Sequence, residues 1–112
     1  MALQQGTIIK VNFNPQRGHE QAGYRPALVI SNSYFNKLSN LITLVPITNT
    51  YRPYPTRVDL DQYEMVTTGQ VICEQIRTVD LEARNYCIVE KAPEEVINKA
   101  LEIVSVLMSK DD

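Results

Sequence analysis

The order of apolar and polar positions divides the chain into short extended runs separated by turn residues. Residues 6–13, GTIIKVNF, are β-branched and close on Asn14-Pro15, which predicts a strand running into a turn. A polar stretch with two glycines follows. Arg25-Pro26-Ala27-Leu28-Val29-Ile30-Ser31 then suits a strand buried on both faces. Residues 41–48, LITLVPIT, predict a third strand, in which Pro46 demands an edge position, a bulge or an end of pairing, and a bend in the chain. NTYRPYPT is turn-rich, TRVDL reads as a short alternating strand, DQYEMVTTG as a connection and GQVICEQI as another strand. RTVDLEAR suits one helical turn and YCIVEK a last strand. From Pro93 onward Val96, Ile97, Ala100, Leu101, Ile103, Val104, Leu107 and Met108 recur at i, i+3, i+4. This is a helix with Pro93 in its first turn and Glu94 and Glu95 at the positive end of its dipole. Its stripe is read as core or dimer contact.

Five or six short strands, one terminal helix and short connections predict a mainly β (α+β) fold: a compact SH3-like antiparallel barrel with a C-terminal helix. That architecture hosts many functions and names none. With 112 residues, one domain spanning 1–112 is expected. A chain of this size buries only about two-thirds of its unfolded surface, so dimerisation is a natural supplement.

Composition removes several classes. A hydrophobic fraction of 44% and a charged fraction of 21% suit a globular protein, and no apolar run approaches the roughly 20 residues of a membrane span. The opening MALQQGTIIKVNF lacks a basic and then apolar leader, so a cytoplasmic location is expected. Cys73 and Cys87 each lie in an apolar stretch without a neighbouring thiol, which predicts two buried free cysteines. The net charge of −2 conceals a division. Residues 1–58 carry six Lys/Arg against Glu20 alone, a balance of +5, whereas residues 59–112 carry five against twelve acids, a balance of −7. Either the first set gathers into an anion site or it is spread over a solvated surface.

Chemistry concentrates in a few positions. His19, the single histidine, lies in the polar loop Gly18-His19-Glu20-Gln21; imidazole with its ordinary pKa near 6.5 exchanges protons at neutral pH or contacts phosphate, or the residue is an ordinary exposed loop side chain. Arg25 stands where that loop becomes a buried strand; a backbone-fixed guanidinium holds phosphate bidentately, or forms a strand-end salt bridge. Thr48 closes LITLVPIT and offers a hydroxyl to a phosphoryl oxygen, or merely ends a strand. Arg77 and Asp80 follow Gln75 and Ile76 and set a cation and a carboxylate in one cleft, or pair with each other. One histidine and two distant cysteines cannot supply a zinc set, no carboxylate cluster is assigned to magnesium, and there is no phosphate-binding glycine loop. Hydrolysis without a cofactor is therefore expected. Phosphodiester cleavage without metal is easiest when the substrate brings its own nucleophile, as RNA does with its 2′-hydroxyl.

FNPQRGHEQAGYRPALVIS, LVPIT and CEQIRTVDLEAR stand in an order and at spacings that resemble the MazF/PemK endoribonuclease toxins, from about Gly6 to the terminal helix. The resemblance implies a homodimer of SH3-like barrels that cuts single-stranded RNA at a short sequence. The products implied are a 2′,3′-cyclic phosphate or 3′-phosphate and a 5′-hydroxyl. It implies a cognate antitoxin whose disordered acidic segment covers the RNA site. It ranks Arg25 and Thr48 first as catalytic residues, while other members implicate His19, Arg77 and Asp80; with His19 counted as catalytic, Arg17, Glu20, Gln21, Asn32, Gln75, Arg77 and Asp80 are read as RNA-binding or supporting residues. Chemistry alone would favour His19 as proton carrier, since an unperturbed guanidinium is a poor acid. Loops 15–24 and 49–57 are the expected readers of unpaired bases; Tyr51 and Tyr54 either stack on those bases or, the more common role for a single tyrosine, serve as packing aromatics. The rival readings are a non-catalytic gyrase poison of the CcdB type, which uses a C-terminal tryptophan that this chain lacks, and an inactive RNA- or protein-binding barrel.

Overall fold

The β-branched runs become strands and the 3.6-residue stripe becomes a helix. The computed structural model describes residues 3–14, 18 and 23–112. Its strands are β1 (Thr7–Asn12), β2 (Tyr24–Val29), β3 (Ile42–Thr48), β4 (Arg57–Asp59), β5 (Gln70–Ile72), β6 (Arg77–Val79) and β7 (Tyr86–Lys91). Its helices are α1 (Ser33–Ser39) and α2 (Glu94–Leu107). All pairings are antiparallel, in the order β4-β5-β3-β2-β1-β7, with β6 also on β3. The mainly antiparallel sheet with a C-terminal helix agrees with the sequence.

Pro46 shows why β3 is the pivot. It is buried in the middle of the sheet, not at an edge. Along one flank of β3, residues 42–44 pair with β6 and residues 47–48 with β5, so the proline sits where one partner ends and the next begins. Of the three roles open to a strand proline, it takes the end of pairing.

Strand alternation sorts the core onto two faces. Ile8, Leu28, Val45, Ile47, Val58 and Val71 face one way and pack with Val96, Ile97 and Ala100 of α2. Ile9, Val11, Phe13, Ala27, Val29, Ile42, Leu44 and Val79 face the other way. Both sets are almost wholly removed from water. Each such side chain contributes about 1.5–3 kcal/mol by burial. Gly6 lets α2 close onto β1: its φ is +92°, and a Cβ there would stand 2.2 Å from Ile97 Cδ1.

Four details differ from the sequence reading. α1 was not foreseen, because only Asn36 of its seven residues is buried and no apolar stripe exists; capping makes it, with Asn32 Oδ1 accepting from Phe35 N at 2.9 Å. The helical turn expected over 77–84 shrinks to one 3-10 turn at Leu81–Ala83, because Thr78 and Val79 extend against Thr43 and Ile42 of β3. The strand expected through residue 76 ends at Ile72 in a second such turn, Cys73–Gln75. Cys73 is buried as expected, but Cys87 is exposed, because β7 borders the sheet and its residues 86–88 face solvent.

Candidate functional site

The β1–β2 connection is fastened at its base. Phe13 N donates to Gly23 O at 2.8 Å, Gly23 N to Asn14 Oδ1 at 2.9 Å, and Arg84 Nη1 to Asn12 O at 2.8 Å. The turn-forming Asn14 and Gly23 were visible as punctuation; the Arg84 brace, 72 residues beyond Asn12, was not. Arg17, His19, Glu20 and Gln21 lie outside the described residues.

Arg25 follows that base as the second residue of β2 and pairs with Val11 of β1. On its other flank β2 pairs with β3 through Ala27↔Pro46, Leu28↔Val45 and Val29↔Leu44. That pairing stops at Ala27↔Pro46; continued for two more residues, the same register would bring Arg25 opposite Thr48. Thr48 in turn pairs with Gln70, and Gln70 with Asp59. A polar row thus crosses the sheet beyond the apolar floor of Val11, Ala27 and Leu44.

Thr48 is 4% exposed and its hydroxyl closes β3: Oγ1 accepts from Thr50 N at 3.1 Å. That bond uses a lone pair and leaves the O–H free in direction, so the strand-ending role and a donor role are compatible. The carbonyl of Thr48 is equally confined. Gly69, at φ +110°, passes so close that a Cβ there would stand 2.3 Å from Thr48 O.

The same face carries Arg77, level with Leu44 and therefore roughly 13 Å along β3 from Thr48. Its guanidinium lies over the buried Phe13 ring, 5.4 Å from the centroid. Asp80 is turned to another task, accepting from Glu82 N at 3.0 Å, so Arg77 and Asp80 are not a pair. Gln75 ends the turn after β5, next to Ile76 and Arg77, whereas Asn32 is committed as the cap of α1. The structure therefore places Arg25 near the start of β2, Thr48 at the end of the neighbouring β3 and Arg77 opposite Leu44 on β6, and it places Asn32 at the cap of α1.

A cleft of about 570 Å³ opens beside this row, lined by Lys10, Tyr24, Arg25, Asn49, Thr68 and Cys87 among others. Glu90 shapes its wall by accepting from Thr67 N and Oγ1 and from Val66 N, at 2.6–3.1 Å. Burial pushes its carboxyl up, but these hydrogen bonds outweigh it and hold the pKa below the ordinary 4.5. One carboxylate pair, Asp59 and Asp61, has a spacing that suits magnesium and was passed over in the sequence. Its oxygens take protein donors: Asp61 N reaches Asp59 Oδ1, and Tyr51 Oη and Gly69 N reach Asp61. Among the described residues no three His, Cys, Asp or Glu side chains converge on one point.

The fold and the row define a small antiparallel β protein with a cationic, hydroxyl-bearing strip at the ends of β2 and β3. Residues 4–108 match the family of PemK-like, MazF-like toxins of type II toxin–antitoxin systems, and the chain belongs to that family. The endoribonuclease PemK of Escherichia coli is 36% identical over 110 residues, covering 96% of this chain and 83% of its own. The endoribonuclease toxin ChpB of Escherichia coli K12 is 42% identical over 104 residues, 88% of each. The crystal structure of MazF from Deinococcus radiodurans superposes with a TM-score of 0.88 at 30% identity, covering 96% of this chain and 97% of that one.

Proposed function

We propose that this chain is the toxin of a toxin–antitoxin pair and acts as a homodimeric, metal-independent endoribonuclease on single-stranded RNA, with Arg25 and Thr48 at its centre. The placement of Arg25 at the start of β2 and of Thr48 at the end of its antiparallel neighbour β3 carries the proposal. Attack by the 2′-oxygen on the adjacent phosphorus forms one P–O bond and breaks the bond to the 5′-oxygen. A proton leaves the 2′-hydroxyl and another reaches the departing 5′-oxygen, leaving a 2′,3′-cyclic phosphate and a 5′-hydroxyl. In this step the Arg25 fork holds two non-bridging oxygens and stabilises the charge that accumulates on them. Thr48 donates to one of the same oxygens. His19 is the group of the proposed set whose ordinary pKa lies near neutrality, which suits it to proton exchange. Arg77 binds a phosphate further along the strand.

The antitoxin follows from the family. An acidic segment that orders on the face bearing Arg25 and Arg77 would occupy the RNA track by charge complementarity. The test is incubation of the protein in EDTA with a long unstructured RNA and with DNA of the same sequence. Discrete RNA cuts with 5′-hydroxyl ends and intact DNA are expected; loss of cleavage in EDTA with recovery on adding magnesium would overturn metal independence.

A further inference from the structure

The segment after Thr48, residues 49–56, has no regular secondary structure, yet its backbone is held almost residue by residue. Arg57 is one of its anchors and the one that links several of the others. Its side chain is 9% exposed, and Nε pairs with Glu74 Oε2 at 3.3 Å. Its Nη1 donates to Thr50 O at 3.2 Å and to Gln70 Oε1 at 3.5 Å, while its Cζ sits 5.0 Å from the centroid of Tyr54. Gln70 Oε1 also accepts from Arg52 N at 3.0 Å, and Thr56 Oγ1 donates to Glu74 Oε1 at 2.7 Å. Tyr51 Oη donates to Asp61.

A surface connection needs no nearly buried arginine merely to link two strands. What the clamp achieves is a fixed presentation: Tyr51 and Tyr54 stay about half exposed and Arg52 is exposed, all within eight residues of Thr48. Arg57 lies over one ring face of Tyr54, and the ring is still half exposed. Tyrosine rings and guanidinium planes are the surfaces on which unpaired bases stack.

We propose that Arg57, with Gln70 as its second arm, is a positioning residue that fixes residues 49–56 as a base-reading wall beside the scissile phosphate and so sets which RNA sequence is cut. The inference rests on the endoribonuclease reading. Arg57 acts through Tyr54, Thr50 and Arg52, so its loss alters substrate choice and leaves the cleavage step intact.

The experiment compares the wild-type protein with Arg57→Lys and Gln70→Ala. Cut sites are mapped across one long RNA, and kcat and KM are measured on a short RNA carrying the preferred site. Arg57→Lys keeps the charge and loses the fork. It should raise KM about tenfold, in the range of one lost base–aromatic stack, change kcat less than about twofold, and add cut sites that the wild type ignores. Gln70→Ala, which leaves the Arg57–Glu74 pair in place, should broaden the cut sites in the same direction and serves if Arg57→Lys does not fold. An unchanged set of cut sites in a folded variant overturns the assignment, as does a fall in kcat at constant KM. A wild-type protein that cuts no RNA overturns the endoribonuclease reading and this inference with it, a result distinct from wild-type cleavage that the variants leave unaltered.

Discussion

Arg25 and Thr48 stand at neighbouring ends of β2 and β3 because of register, and register is a property that single residues cannot display. The sequence marked both by type and by position at strand ends. What it could not show is that Ala27↔Pro46 is the pair from which they follow. Arg25 is exposed and Arg25→Lys keeps its charge, so the substitution should leave the melting temperature within about 2 °C, as for most surface changes. RNA cleavage should nevertheless fall about 100-fold, because the point charge remains and the bidentate fork is lost. Near-full activity in that variant would refute the role. Gly69 was legible only as turn punctuation, since its constraint is the carbonyl of Thr48 on another strand. Gly69→Ala combines a φ of +110° with a 2.3 Å approach, and should cost about 2–3 kcal/mol in urea unfolding while displacing Thr48 and lowering cleavage.

Among the elements, those with a buried period were readable and those held by polar contacts were not. β1, β2, β3 and α2 declare themselves through apolar alternation or stripe. α1 and the 3-10 turn at Leu81–Ala83 are fixed by side-chain caps, and the clamped 49–56 segment by hydrogen bonds and by the partly exposed Arg57–Glu74 ion pair, whose partners lie 17 residues apart. The connection before β5 belongs to the second kind, hung on Glu90. Because the folded pKa of Glu90 lies below its ordinary 4.5, the unfolded chain binds more protons in that window. Its contribution to stability is complete above pH 4.5 and is lost as pH falls through the lowered folded value. The urea midpoint should therefore drop with acid below about 4.5, and Glu90→Gln should have a shallower drop over the same range.

At the scale of the molecule, family and fold agree with the sequence, while assembly is a matter for solution. Val106, Leu107 and Met108 at the end of α2 are exposed, as is Ile88 on the bordering strand β7. These apolar groups suit a dimer, so sedimentation equilibrium at micromolar concentration should return about twice 12.7 kDa; a monomer under those conditions would contradict the homodimer. Among the described residues no helix is long and apolar enough to cross a membrane.

The central claim is that the substrate supplies the nucleophile to a site built on Arg25 and Thr48. It is tested most directly with a short RNA carrying one preferred cut site and its twin with a single 2′-deoxy nucleotide on the 5′ side of that cut. Rapid cleavage of the first and none of the second, both in EDTA, is the predicted result. Cleavage of both at similar rates would show that water or another group attacks the phosphorus, and would contradict the account.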